Sequence, residues 1–405
     1  MYISSFNISG YRSLKDVKIP GMLPVCIFHG LNNTGKSNIL AALETIFRRK
    51  LSIDETTTAA GVTSPGAKES SFWHGQIAGF KDDFFQNGRE DITFAVDITF
   101  SDSELDPFRG ILSKLKPSLK TNIKGRLGKV PQVSLLKKNR PKVLRLEGRI
   151  TYRDENSANM VLQTAVFNRE YIVYSSDRTG KRDFFPTVSE TSSEEKLRQF
   201  DQLMGLLANS FALMPADRYL TGEHLPSEES VQVPLTAKTF KQWLFSLSLS
   251  REGHSVFEAI RSIITSAPFP LGEISFCQEG REIEIMVKDR DIRLPVSRLG
   301  SGHQQLLYIV AHMVFHQKKM LGIEELEINL SPVAQRRLFE KLKSFVYQDS
   351  GLISQVIITS HSDCFARRQD VRCYSIEHDG QKTVVNSWTQ AAWNRIFSPS
   401  VMRQD

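Results

Sequence analysis

The chain has 405 residues, 40% hydrophobic and 24% charged, with 24 Gly, 16 Pro and a formal net charge of +7. That is globular composition, with apolar material for a large core and length for two or three domains, and it excludes a collagen-like, wholly disordered or disulfide-stapled chain. No apolar run reaches the roughly 18 residues that span a bilayer, no secretory signal opens the chain, and Cys26, Cys277, Cys364 and Cys373 lack paired spacing, so a cytoplasmic protein with buried thiols and no membrane contact is expected.

In chain order, MYISSFNIS alternates in part, LKDVKI alternates again, and VCIFHG is a short apolar run; three strands are expected, the third buried. GLNNTGKS follows, then NILAALETIFRRK, whose Ile39, Leu40, Leu43, Ile46 and Phe47 recur at helical spacing. Residues 51–71, rich in Thr, Ser, Gly and Ala, predict a loop. Strict alternation in DITFAVDITF predicts a strand over 91–100, and LRLEGRITYRD and NMVLQTAVFNREYIVYS predict more. The polar stretch 175–195 predicts a boundary or exposed loop, EEKLRQFDQLMGLLANSF an amphipathic helix, and ALMPADRYL a buried strand and a turn. Residues 220–265 read as mostly helical and EISFCQEGREIEIMVKDRDIRLPVSRL as a meander of short strands. From about residue 300, QQLLYIVAHMVFHQ, MLGIEELE, PVAQRRLFEKLKSFVYQ, QVIITSHS and VRCYSIEHD alternate helix with strand, the pattern of a largely parallel sheet flanked by helices. The expected class is α/β, with a mixed β lobe, a mainly parallel sheet and a helical insertion. Its expected parts are an N-terminal lobe (1–180), a helical lobe (190–290) and a C-terminal lobe (291–405).

Gly30-Leu31-Asn32-Asn33-Thr34-Gly35-Lys36-Ser37 matches G-x-x-x-x-G-K-[ST] in full, between an apolar strand and an amphipathic helix. Glycines let consecutive N–H groups curl around a phosphate, and the helix N-terminus adds positive potential. Lys36 then reaches β- and γ-phosphates while the Ser37 hydroxyl ligates Mg²⁺. About 290 residues later, Met320–Ile323 reads as a strand ending in Glu324 and Glu325. A carboxylate there holds Mg²⁺ or its water, and the next acid orients an attacking water; alone, the cluster with Glu327 reads rather as a solvated turn, and its place after a phosphate loop in an alternating α/β stretch favours the functional reading. Gly300-Ser301-Gly302 before an apolar helix is a second anion cradle or a plain capped helix start. His361 ends the buried strand VIITSH, positioned for a γ-phosphate or for a structural hydrogen bond.

In this order the four elements resemble the ATP-binding-cassette (ABC) branch of P-loop ATPases, and within it the RecF, SMC and overcoming-lysogenization-defect (OLD) group. FNISGYRSLKDVKI resembles that group's opening, with Arg12 in its basic position; LGSGHQQLL resembles the signature motif, IEELEINLSP the extended Walker B and TSHS the switch histidine. MPADRYL, with Asp217 and Arg218, is similar to a segment common in OLD-like ATPases. The likeness covers roughly 1–100 and 210–365. Leu326 stands where the group has Pro, Ser331 where it has His, and Gly300-Ser301 inverts the usual order. The resemblance implies an ABC-type head that hydrolyses Mg-ATP as a head-to-tail homodimer or higher homo-oligomer. Each phosphate loop would face Gly300, Ser301 and Gly302 of another subunit, with Ser301 in contact. It implies Arg12, Gly30, Asn32, Asn33, Thr34, Gly35, Lys36, Ser37 and Asn38 around ATP, and Ser37 and Glu324 on Mg²⁺. Glu325, Lys36 and His361 would serve catalysis, with His361 sensing the γ-phosphate. Gln76 in FWHGQI is the candidate for a glutamine-bearing loop.

About forty residues follow TSHS, too few for the Toprim nuclease domain of OLD proteins, and no SMC-type coiled coil separates the motifs. The resemblance therefore implies a head without its own effector, working with a separately encoded nuclease or toxin, as in bacterial anti-phage defence. A RecF-like DNA-repair or DNA-tethering ATPase and a nucleotide-held scaffold that sequesters a toxin are the other readings. Between Arg109 and Arg149 lie thirteen Lys and Arg and one acid, Glu147, more positive charge than the whole chain's net. This basic insertion (about 105–149), punctuated by Pro117, Pro131 and Pro141, suits a mobile arm on nucleic-acid phosphates, an acidic protein partner, or a solvated loop without a partner.

Overall fold

The computed structural model describes residues 1–47, 74–78, 84–85, 91–105, 142–154, 157–168, 171–176, 182–183, 207, 210–218, 220, 239–251, 253–266, 271–279, 282–289, 292–316, 319–347, 353–365 and 370–397. They fall into two compact units, one built from Met1–Cys26, Gly30–Phe211 and Tyr374–Ser398, the other from Ile27–His29 and Ala212–Cys373. The expected loop at 51–71 lies outside the described residues. So does nearly all of the helix expected over EEKLRQFDQLMGLLANSF.

The first unit holds an eight-stranded sheet of β1 (Tyr2–Ser9), β2 (Val17–Pro20), β4 (His74–Ala78), β5 (Ile92–Phe100), β6 (Lys142–Asp154), β7 (Ser157–Phe167), β8 (Tyr171–Ser176) and β9 (Arg182–Asp183). Its order is β2-β1-β5-β6-β7-β8-β9, with β4 also on β7, and the pairs are antiparallel. Ile92, Phe94, Val96, Ile98 and Phe100 are buried, the period-two face that strict alternation predicts. Gln76 is no loop residue: it lies within β4, opposite Asn159.

Strand β6 also corrects the reading of the basic insertion, because its last eight residues belong to the sheet. Lys142, 4% exposed, is ion-paired to Asp102. Arg145 reaches Asp97 at 3.1 Å and Glu147 at 2.7 Å, and Arg149 lies 3.6 Å from Asp91. Arg145 sits opposite Asp97 in the ladder, so this pair stitches β6 to β5, while Glu147 lies on β6 itself and Asp91 and Asp102 flank the ends of β5. These cations are not available to a mobile arm. Residues 106–141 lie outside the described residues.

The same unit carries α1 (Lys36–Phe47), which buries Ile39, Leu40, Leu43, Ile46 and Phe47 as its spacing requires, and the short α2 (Asp102–Leu105). It ends with β16 (Arg372–His378), β17 (Thr383–Ser387) and α7 (Gln390–Phe397). Strands β16 and β17 form an antiparallel hairpin, so the helix–strand alternation read from residue 300 stops before the chain does.

The second unit is layered α/β. Strands β10 (Phe211–Met214), β14 (Met320–Ile323), β15 (Gln355–Ser360) and β3 (Val25–His29) lie in that order. Strands β14 and β15 are parallel, Met320 opposite Gln355, and every residue of both is buried, as in a sheet covered on both faces. Helices α3 (Phe240–Leu249), α4 (His254–Thr265), α5 (Ser301–Phe315) and α6 (Pro332–Tyr347) accompany the antiparallel meander β11 (Glu273–Glu279), β12 (Glu282–Asp289) and β13 (Ile292–Pro295). Helix α5 is buried from Gln304 through Val314, whereas α6 buries only the stripe Gln335, Leu338, Phe339, Leu342 and Phe345. The Ser331 hydroxyl accepts the Ala334 N–H at 3.3 Å, and Pro332 takes the first helical position, so the departure at Ser331 is a helix cap. Leu326, where the resembled group has Pro, is fully buried. No helix among the described residues is long and apolar enough to cross a membrane.

On α3, the side chain of Lys241 is 1% exposed and donates to Glu284 Oε2 of β12 at 2.9 Å; the same oxygen accepts Ser297 Oγ at 3.3 Å. Glu284→Leu strands that ammonium. Because the carboxylate is 29% exposed, water tempers the cost, and a loss of about 2–3 kcal/mol is expected in urea unfolding. Adding Lys241→Met should recover most of it.

Candidate functional site

The first unit positions the Gly30–Ser37 loop. Thr34 Oγ1 donates to the Leu31 carbonyl at 2.9 Å. Asn33 (φ 59°) and Gly35 (φ 97°) are both left-handed, a backbone that turns successive N–H groups toward one concavity. Helix α1 begins at once, with the Ile39 N–H on the Gly35 carbonyl at 3.2 Å. Lys36, 5% exposed, donates its ammonium to the carbonyls of Gly30 at 2.9 Å and Leu31 at 2.7 Å, so the charge sits on the loop itself. Asn32, Asn33 and Ser37 are exposed.

A side chain that sequence reading overlooked closes this loop from β17. A Cβ on Gly35 would lie 2.1 Å from Thr383 Oγ1 and 2.8 Å from Ser13 Oγ, so both sterics and φ demand glycine there. Thr383 Oγ1 donates to the Thr34 carbonyl at 2.9 Å, which leaves it to accept from Ser13 Oγ at 2.7 Å. Ser13 Oγ in turn accepts Asn38 Nδ2 at 2.9 Å, and Asn38 Oδ1 accepts Arg12 Nη1 at 3.2 Å. A one-way hydrogen-bond chain therefore runs from the Arg12 guanidinium to the loop carbonyl, each link polarising the next. Arg12 lies over the Phe84 ring, 4.1 Å from its centroid. The YRS tripeptide was a visible sign of Ser13; nothing local pointed to Thr383 or Phe84.

The second unit gathers the acids and the histidine. Glu324 leaves β14 with its N–H on the Met214 carbonyl at 3.0 Å. Glu325 adopts φ 45°, a strained value for a non-glycine residue, and its N–H goes to Thr359 Oγ1 at 3.1 Å. His361 Nε2 stands 3.7 Å from Glu325 Oε1, while the His361 N–H is held by Glu327 Oε1. Glu327 and Thr359 were not among the expected site residues.

Helix α5 starts in the same unit. Gly300 is its N-cap, and the half-exposed Ser301 and Gly302 open its first turn, which the His303 N–H closes on the Gly300 carbonyl at 2.9 Å; the N–H groups of Ser301 and Gly302 precede the first intrahelical bond. A Cβ on Gly302 would lie 2.9 Å from the Asn329 carbonyl, whereas one on Gly300 would meet nothing nearer than 3.7 Å. Gly302 is thus the sterically required glycine, letting α5 begin against the loop that follows Glu325. Gln304 holds the preceding turn through the Leu299 and Ser297 carbonyls at 3.0 and 3.4 Å.

Arg218, fully buried, links these parts. It donates to the Glu324 carbonyl and, at 3.4 Å, to Gln305 Oε1 of α5. Burial lowers its pKa to about 10, against the opposing pull of Tyr308, Glu324, Glu327 and Glu325. Burial likewise pushes the Tyr308 hydroxyl up to about 12, with Arg218 pulling it back. The guanidinium therefore stays charged at neutral pH inside an apolar unit and supplies positive potential to three carboxylates.

The structure thus groups Arg12, Gly30, Asn32, Asn33, Thr34, Gly35, Lys36, Ser37 and Asn38 in the first unit, and Gly300, Ser301, Gly302, Glu324, Glu325 and His361 in the second. Residues 1–366 match the family model described as "AAA ATPase domain". Over 367 residues the chain is 22% identical to a Helicobacter pylori protein described as "ATP/GTP phosphatase", covering 90% of this chain and 86% of that one. Among solved structures it is similar to an SMC head bound to the C-terminal winged-helix domain of ScpA (TM-score 0.48, 14% identity, 96% of this chain and 98% of that one). It is also similar to the SMC head domain of Thermotoga maritima (TM-score 0.43, 12% identity, 96% and 100%).

Thr383→Val removes both the donor to Thr34 and the acceptor of Ser13. Nucleoside triphosphate affinity, followed by titrating a fluorescent analogue, is expected to weaken by about 1–3 kcal/mol, with Thr383→Ser close to wild type.

Proposed function

Because the chain belongs to the AAA ATPase domain family, it is an ATPase, and we propose that it closes as a homodimer around Mg-ATP and uses nucleotide state to control a separately encoded effector. The observation that carries this reading is the Gly30–Ser37 loop, with left-handed turns at Asn33 and Gly35, an ammonium on its rim and a helix N-terminus behind it. The loop N–H groups bind the phosphates, Lys36 exchanges its two carbonyls for the β- and γ-phosphates, and Arg12 with Asn38 braces the loop. Glu325 orients the attacking water, and His361 senses the γ-phosphate beside it. Ser301, between Gly300 and Gly302, closes over the triphosphate of the partner copy, a role supported by the Ser301 and Gly302 N–H groups at the N-terminus of α5.

The donor set fits Mg²⁺. Among the described residues no three His, Cys, Asp or Glu cluster as a self-sufficient metal site, and Mg²⁺ characteristically takes one or two protein oxygens plus phosphates and water. Ser37 and Glu324 are the proposed ligands: Ser37 is exposed in the first turn of α1, and Glu324 follows β14. Bound Mg²⁺ neutralises charge developing on the phosphoryl oxygens. The resemblance to the OLD group supports anti-phage defence as the setting.

Lys36→Ala is expected to abolish nucleotide binding. Glu325→Gln should spare binding while turnover falls about 10²- to 10⁴-fold, and with Mg-ATP it should sediment as a dimer that Ser301→Glu disperses. A Glu325→Gln chain that turns over normally, or stays monomeric with Mg-ATP, contradicts the reading.

For the basic insertion we propose nucleic-acid contact through residues 109–140 alone. Neutralising Lys114, Lys116, Lys120, Lys124 and Arg126 should lower DNA affinity and reduce the log–log salt slope by about 0.9 for each phosphate no longer neutralised. Changing Arg145 or Arg149 should leave that slope unaltered. Binding insensitive to salt points instead to an acidic protein partner.

A further inference from the structure

We propose that Glu327 and Thr359 are the positioning residues that set the Glu325–His361 geometry, by exchanging side-chain-to-backbone hydrogen bonds across the ends of two parallel strands; this rests on the catalytic reading of Glu325 and His361. Strands β14 and β15 end at Ile323 and Ser360; the Glu324 N–H still reaches the Met214 carbonyl of β10 at 3.0 Å, but Glu325 and His361 lie beyond the strands. Each reacting residue is then held by a side chain from the other strand's end. Thr359, 1% exposed, accepts the Glu325 N–H at 3.1 Å; Glu327 Oε1 accepts the His361 N–H. The exchange explains how Glu325 keeps a left-handed φ of 45°, a conformation that persists only where its surroundings over-determine it.

The segment bearing Glu327 is itself fastened. The Ile328 N–H returns to the Glu325 carbonyl at 3.1 Å and the Leu330 N–H to the Glu327 carbonyl at 3.0 Å. Gln335 of α6 donates to the carbonyls of Leu330 at 2.8 Å and Glu327 at 3.4 Å, and accepts Ser362 Oγ at 2.7 Å. One buried amide therefore joins the stretch after β14 to the stretch after β15. Of the three clustered acids, Glu327 is not placed to meet water or substrate: Oε1 is spent on His361, and Oε2 is buried. What this scaffold delivers is the 3.7 Å separation of Glu325 Oε1 and His361 Nε2.

The test is steady-state ATPase kinetics on the full chain, with thermal melts alongside. Glu327→Leu and Thr359→Val are each expected to lower kcat about tenfold or more while KM for Mg-ATP stays within about twofold. Glu327→Gln and Thr359→Ser keep an acceptor oxygen and should retain most of kcat. In a His361→Ala background, Glu327→Leu should cost nothing further, because its effect runs through His361. Losses that multiply in that double variant overturn the inference. So does a Glu327→Gln defect as deep as that of Glu327→Leu, a result still readable should the leucine variant fail to fold. Normal turnover by Glu325→Gln or His361→Ala refutes the catalytic reading itself, a distinguishable outcome.

Discussion

At Gly35 the backbone turns with φ 97° directly beneath the Thr383 hydroxyl, leaving no room for a Cβ. This contact orients the phosphate loop, because the hydroxyl that excludes a side chain also holds the Thr34 carbonyl. With the carbonyl turned away, the neighbouring N–H groups face the concavity. Lys36 and Ser37 follow as the first residues of α1, so their positions derive from the turn. Arg12 contributes at a distance, through Asn38 and Ser13.

The second unit solves a similar problem without glycine at its centre. Glu325 must leave a buried strand and project a carboxylate, and it does so in a strained conformation tied down by Thr359. Strain concentrated at one residue and offset by neighbouring hydrogen bonds is the expected mark of a pre-organised site. Glycine is needed one element away, at Gly302, where α5 begins against the Asn329 carbonyl.

Arg218 gives this unit its electrostatic character. A fully buried guanidinium is costly unless paired, and here it is held by the Glu324 carbonyl and Gln305 while attracting three nearby carboxylates. The same side chain thus joins helix α5 to the end of β14. Positive potential that would otherwise be a folding liability is placed beside Glu324, Glu325 and Glu327.

By itself the sequence determined what local chemistry determines. Periodicity marked β5, α1, the β11–β13 meander and the buried β14 and β15. The complete phosphate-loop motif, the acids after β14 and His361 after β15 were legible because each residue type is demanded at fixed spacing from its own strand or helix. Only the tertiary structure decided the partners. Thr383 meets Thr34 across 349 positions, and Glu327 meets His361 across 34; such pairings depend on register and chain return, which no local period encodes. For the same reason a glutamine expected in a loop lies in β4, and Lys142, Arg145 and Arg149, counted as part of a free basic arm, are committed to ion pairs in the sheet. Charge can be counted along a chain, but whether it is available depends on what the fold sets opposite it.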